Sequence, residues 1–191
     1  ALDAAVVAHD AGDHTVEILV TQDFEHGAAG GAARFAVIDR GRLAAGERQT
    51  LVISIAAGLD MAALSRWLGG HRKIVRCMPN TPALIGAGIT GLCALPEVDT
   101  AERELADRVL KAVGTTVWTE EDKIDAVTAI SGSGPAYVFL FIEALQQAAA
   151  EFGFTPEQGR QLAIETVQGA AALAAQSSEP ASVLRERVTS K

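Results

Sequence analysis

Aromatic side chains make up only 5% of this chain of 191 residues. Its core must therefore be built mainly from Ala, Val, Leu and Ile, and closely packed helices are expected. Cysteine is scarcer still: Cys77 and Cys93 sit apart, without the paired spacing of a zinc site or the density of a secreted disulfide scaffold. Reduced thiols in a cytoplasmic protein are the expectation. Positive charge is in deficit, with 16 Lys and Arg against 24 Asp and Glu for a formal charge of −8. No basic stripe offsets it, so nucleic acid is not an expected partner.

Long apolar runs are missing too. The uncharged, largely apolar stretch 126–142 carries Ser131-Gly-Ser-Gly-Pro135 in its middle and falls short of the ~20 apolar residues of a membrane span. A buried helix or an interface is expected there, not a membrane. No basic start followed by an apolar run and a small-residue cleavage site opens the sequence. Of the four histidines, only His9 and His14, with Asp10 and Asp13, could be drawn as a metal site; a solvated turn is the expected reading, and no metal is assigned. A Gly-x-Gly-x-x-Gly fingerprint between a strand and a helix is also absent, Gly27, Gly30 and Gly31 being wrongly spaced for it. A Walker loop, a Gly-x-Ser-x-Gly elbow and a His-Glu-x-x-His helix are equally lacking, which argues against P-loop and common hydrolase chemistry.

What is there is an ordinary folded composition, 49% hydrophobic and 21% charged, long enough for one domain or one and a fraction. From 51 to about 119, short β-branched runs alternate with helical patterns, the signature of a βαβ arrangement. Strands are expected at 51–56, 74–78, 91–95 and 115–119, with helices at 61–68 and 100–113. Asp60 is placed to cap the first helix and Gly69-Gly70 to stop it. From Asp125 onward the pattern is helical: 135–152, a Thr155-Pro156-Glu157 start, 161–176 and 180–187. The shift near 120–126 sets an expected boundary between an α/β part, 1–122, and a helical part, 123–191. In the poorly legible first 50 residues, 16–20 and 35–38 read as strands and 27–31 as a turn or loop.

Three segments carry candidate chemistry. Ser54-Ile-Ala-Ala-Gly58 puts small side chains and backbone N–H groups at a strand C-terminus, where open α/β sheets bind ligands; a tight helix–strand junction is the plainer reading. Cys77-Met-Pro-Asn-Thr-Pro82 is a proline-stiffened polar turn at the same kind of edge, or a structural turn. Ser131-Gly-Ser-Gly-Pro135 interrupts a helical run at ~1 kcal/mol per glycine relative to alanine. Close approach of a second backbone, a ligand, or a helix start at Pro135 would offset that cost.

Together with Val75-Arg76, Asp125-Ala-Val-Thr-Ala-Ile130, Ala136-Tyr137 and Leu184-Arg-Glu-Arg-Val-Thr-Ser190, these segments resemble the pyrroline-5-carboxylate reductase family, in its order and near its spacing, over about 51–191. The resemblance implies an incomplete Rossmann-like dinucleotide-binding α/β domain followed by an all-helical dimerisation domain. The implied activity is hydride transfer from NADPH or NADH to the C=N carbon of 1-pyrroline-5-carboxylate, giving proline. Carried over by position, cofactor contacts fall at Ser54, Ala56, Ala57, Cys77, Met78, Pro79 and Asn80, and the substrate region includes Glu179, Val188, Thr189 and Ser190. No catalytic side chain is assigned, because a protonated imine needs positioning more than a strong base. The stretch 126–152 is implied to be largely interface in a homodimer or a larger oligomer of dimers.

The family's opening Gly-x-Gly-x-x-Gly turn, its Ala-Val-Lys-Pro segment and its Gly-Gly-Thr-Thr loop are not found in this sequence. The alternative is therefore a catalytically inactive dimerising fragment of such a reductase. A 3-hydroxy-acid dehydrogenase with a helical C-terminal domain ranks lower, since no lysine or histidine lies between Lys123 and Lys191 to serve its acid–base step.

Overall fold

The structure, a computed structural model, describes residues 50–189 and, as backbone strands only, 5–9 and 15–19. The expected strand at 35–38, the turn at 27–31, most of the His9–His14 group and Ser190 lie outside the described residues.

Six strands form one mixed sheet in sequence order: β1 (Ala5–His9), β2 (Thr15–Leu19), β3 (Leu51–Ser54), β4 (Ile74–Met78), β5 (Gly88–Ala94) and β6 (Gly114–Trp118). β2, β3 and β4 run parallel; β1 is antiparallel to β2, and β6 is parallel to β5. The βαβ expectation fails at one point, because β5 is antiparallel to β4. The link 79–87 holds only a 3-10 turn, Thr81–Ile85, and a parallel return needs a crossover of a dozen or more residues.

The strands alternate faces with period two. Leu51, Ile53, Val75, Cys77 and Leu92 pack against Leu105, Ala106 and Leu110 of helix α2 (Thr100–Lys111). On the opposite face, Val52 and Ile74 meet Leu64 of α1 (Met61–Trp67), and Cys93 meets Met61 and Ile124. The helices begin where the sequence supplies caps. Asp60 Oδ1 accepts the Ala63 N–H at 2.5 Å, and Asp99 and Glu102 form a reciprocal capping box. Glu102 is buried and also accepts from Lys73 Nζ at 2.5 Å, tying α2 to the start of β4. At the other end of α2, Asp107 takes hydrogen bonds from Lys111 and from the Thr116 hydroxyl of β6, which hold its carboxyl below the usual range. Arg103 lies over the Trp118 ring, 5.2 Å from its centroid.

Helical structure resumes at Glu121–Lys123, passes through the short α3 (Ile124–Val127) and a π turn, Thr128–Gly132, and continues as α4 (Gly134–Glu151). α5 (Pro156–Gln176) starts at the expected cap, Thr155, whose hydroxyl accepts the Gln158 N–H while Gln158 returns the bond; α6 is Ala181–Val188. Helical pattern thus begins near the expected boundary at 122–123, yet the first compact unit extends to Pro135 and the second starts at Ala136. The reason is local: Ile124 is buried against the sheet, and Gly91 of β5 sits so close to Val127 that an added Cβ would lie 2.6 Å from its Cγ1.

Within the second unit, α4 leaves large apolar side chains in the open, among them Phe139 at 63% and Leu140 at 67% exposed. Of the two expectations for this stretch, a buried helix or an interface, burial within its own chain is not met. By length and composition the helical run 121–151 is also long and apolar enough to cross a membrane, with the π turn Thr128–Gly132 and a bend at Ser133 leading into α4.

Candidate functional site

Parallel strands β3 and β4 end side by side, with Ser54 paired in register with Arg76. At the end of β3, Ser54 is fully buried and its Oγ accepts the Ala56 N–H at 3.3 Å. Ala56 is buried; Ala57 and Gly58 are exposed, and Gly58 takes a positive φ of 75° that turns the chain toward α1. Past Ile55, which packs against the core, residues 56–58 above β3 therefore carry no bulky side chain.

At the end of β4 the four expected residues differ in what they offer. Cys77 is buried among Leu51, Ile53, Val75 and Leu92, so contact with anything at the edge falls to its backbone. Met78, Pro79 and Asn80 are half-buried. Met78 fills the space beside Gly132, where an added Cβ would stand 2.8 Å from its Cε; that is the close approach which the glycine in Ser131-Gly-Ser-Gly-Pro135 permits. Asn80 accepts the Ile89 N–H at 3.0 Å and donates to the Ser131 carbonyl at 3.2 Å. The structure thus brings Met78 and Asn80 together with the 131–132 segment, a partnership that no local sequence pattern announces.

Arg76, part of a family-like segment but given no role by the sequence, is the buried charge beneath this edge. Its guanidinium faces Glu121 Oε1 at 3.5 Å and Asp125 Oδ1 at 3.9 Å. Glu121 Oε1 also accepts the Met61 N–H at 2.6 Å, at the start of α1. Glu121→Ala removes both interactions and leaves Arg76 to the exposed Asp125 alone. The expected cost is about 2 kcal/mol, below the usual range for a broken buried pair because Glu121 is part-exposed and Asp125 remains. Urea unfolding checks it; an unchanged midpoint would show that the pair contributes nothing.

The two thiols are inert by environment. Burial, then the neighbouring Cys93, pushes the Cys77 thiol well above its ordinary value; burial, then Glu121, pushes Cys93 up to about 11. Neither cysteine is in a disulfide. At pH 8 the folded protein is expected to react with a thiol reagent about 100-fold more slowly than the urea-unfolded protein at both positions. A cysteine reacting at the unfolded rate in the native state would contradict this packing.

The expected substrate residues belong to the second unit. Glu179 forms a two-point ion pair with Arg187, Nη2 to Oε1 at 2.6 Å and Nη1 to Oε2, and its N–H donates to Ser177 Oγ at 3.0 Å. Val188 ends α6 and is 81% exposed. Thr189 donates its hydroxyl to the Arg185 carbonyl at 2.8 Å. Among the described residues no group of three or more His, Cys, Asp or Glu is placed to hold a metal ion.

An open mixed sheet covered by helices on both faces, ending in a bare edge over two parallel strands and followed in sequence by helices with exposed apolar faces, defines a Rossmann-like unit joined to a helical dimerisation segment. Residues 121–191 match the family model for pyrroline-5-carboxylate reductase dimerisation. The pyrroline-5-carboxylate reductase of Pseudomonas aeruginosa is 47% identical over 143 residues, 74% of this chain and 52% of the relative. That of Pasteurella multocida is 41% identical over 158 residues, 82% and 58% of the two chains. Among solved structures, the Coxiella burnetii enzyme superposes with a TM-score of 0.72 at 44% identity, over 80% of this chain and 56% of that one. The Plasmodium falciparum pyrroline carboxylate reductase, solved with NADP bound, gives 0.68 at 34%, over 73% and 56%. The chain belongs to the pyrroline-5-carboxylate reductase family, and it spans about half the length of the curated relatives it matches.

Proposed function

We propose that this protein reduces 1-pyrroline-5-carboxylate to proline in the cytoplasm, as a homodimer or an oligomer of dimers, with NADPH or NADH as reductant. The observation that carries the reading is the edge over β3 and β4, bare of bulky side chains at 56–58 and bounded by the stiff Met78-Pro79-Asn80 turn, in a chain of this family. Those residues fit the nicotinamide half of such a cofactor: small side chains admit a flat ring, and Ser54, Ala56, Ala57, Cys77, Met78, Pro79 and Asn80 line the two strand ends.

When bound, the dinucleotide supplies a hydride. The reaction balances as one hydride added to the C=N carbon, whose π electrons go to the nitrogen; the nitrogen keeps the proton it carried as an iminium. The chain's own work is then placement and charge. The turn at 78–80 would hold the nicotinamide half of the cofactor. Glu179, Val188, Thr189 and Ser190 are proposed to hold the substrate, with Thr189 and backbone groups near the end of α6 taking its carboxylate. No side-chain base is required, since no proton is abstracted.

Self-association is supported by the exposed apolar faces of α4 and by the dimerisation family that covers them. The test is NADPH titration of the purified chain alongside pyrroline-5-carboxylate-dependent NADPH oxidation. Binding with turnover is the expected result. A dimer with neither would favour the second reading, a dimerising chain without catalysis, which draws on the same family match and on the lack in the sequence of a Gly-x-Gly-x-x-Gly turn leading from a strand into a helix.

A further inference from the structure

We infer that Asn80 is a positioning residue, whose side-chain amide brackets the Met78-Pro79-Asn80 turn onto a carbonyl that Pro135 deprives of its helical donor. The inference rests on the reading of this edge as the nicotinamide side, and it assigns Asn80 a role other than touching the cofactor through its side chain.

The chemistry of the break sets up the need. In a continuous α-helix the Ser131 carbonyl would accept the N–H of residue 135. That residue is proline and has none. The Ser131 hydroxyl does not help, because it donates back to the Val127 carbonyl at 3.0 Å. Asn80 Nδ2 supplies the missing donor at 3.2 Å.

The other end of the amide is committed as well. Asn80 Oδ1 accepts the Ile89 N–H at 3.0 Å, one residue into β5. An N–H cannot accept and a carbonyl cannot donate, so these partners fix which way the amide points. An asparagine placed just before a helical turn ordinarily caps that turn with its side chain. Here Asn80 precedes Thr81–Ile85 and makes no such bond, because the side chain is turned to Ile89 and Ser131. Only the Asn80 backbone carbonyl serves the turn, accepting the Ala83 N–H at 3.1 Å. With both ends of the amide engaged, recognition at this turn falls to main-chain groups and to Met78 and Pro79, and Met78 is held from behind by the bare Cα of Gly132.

The test uses the whole chain with Asn80→Ala, Pro135→Ala, the double variant and Gly132→Ala. Two readouts are taken: NADPH affinity by fluorescence titration, and amide exchange with urea unfolding in the absence of ligand. Asn80→Ala is expected to speed exchange at Ile89 and to weaken NADPH about 10-fold through misplacement of the turn. Adding Pro135→Ala gives Ser131 a main-chain donor. Affinity should then recover to within about threefold of wild type, while Ile89 stays unprotected, a non-additivity characteristic of groups that share a partner. Gly132→Ala pushes only the flexible end of Met78, so it should lower affinity with Ile89 still protected.

If Asn80→Ala weakens NADPH equally with proline or alanine at 135, the side chain touches the cofactor and the inference is overturned. A wild-type chain that fails to bind NADPH overturns the functional reading instead. The bracket is then decided without ligand: Pro135→Ala must recover part of the urea-midpoint loss in the Asn80→Ala background and not in wild type, and strictly additive midpoints refute it.

Discussion

Gly114→Ala is expected to destabilise the first unit by about 3 kcal/mol or more, one of the largest single-residue effects in the chain. Gly114 opens β6 with φ +149°, a conformation that L side chains rarely adopt. An added Cβ there would lie 2.6 Å from the Gly88 nitrogen and nearer still to its carbonyl. These are backbone atoms of the paired strand, Gly88 being the register partner of Gly114, so no rotamer change relieves the clash. Gly88 cannot retreat: a Cβ on it would stand 2.8 Å from the Ala83 Cα, and its N–H is bonded to the Val113 carbonyl at 3.0 Å. β6 must therefore separate from β5 or the turn must rebuild. Urea unfolding measures the loss, with Gly134→Ala as control because nothing lies within 4 Å of a Cβ there. Equal midpoints for the two variants would refute the argument.

Phe139→Glu should convert the proposed dimer to a monomer. Within one chain α4 leaves Val138, Phe139, Leu140 and Phe141 exposed in succession, and four consecutive residues point around the whole helix. A helix apolar all round is covered somewhere, and an exposed apolar surface of this extent marks an association site. A glutamate at Phe139, 63% exposed in the single chain, would have to be buried without a partner, at several kcal/mol per association event. Sedimentation of wild type and variant at micromolar concentration decides the matter. A wild-type monomer in plain buffer would remove the premise, and partition of the wild type into lipid vesicles would point to the membrane reading that the 121–151 run satisfies by length.

The elements were legible wherever local chemistry decides them. The caps at Asp60 and Thr155 and the β-branched strands at 51 and 74 all lie where the sequence puts them. β5 begins at Gly88, earlier than the expected 91, because Gly88 and Thr90 interrupt the apolar pattern, Gly88 where the backbone of Ala83 approaches closely. The link between Asn80 and the π turn was hidden because its ends are distant: Asn80 and Ser131 are 51 residues apart in sequence, and no periodicity records such a pairing. The candidate site followed the same rule. Its strand ends and its small residues were visible in the motifs, whereas the burial of Cys77 and the double engagement of Asn80 depend on tertiary neighbours. Arg76 was invisible for that reason too, since a lone arginine in a strand pattern gives no sign that Glu121 waits opposite it.

The placement of the two indoles has a practical consequence. Trp67 on α1 and Trp118, stacked beneath Arg103 on β6, both belong to the first unit, and the chain has no other tryptophan. The second unit holds the single tyrosine, Tyr137. Emission excited selectively at the red edge of the indole band therefore follows the first unit alone, so the native chain reports on that unit without any added label.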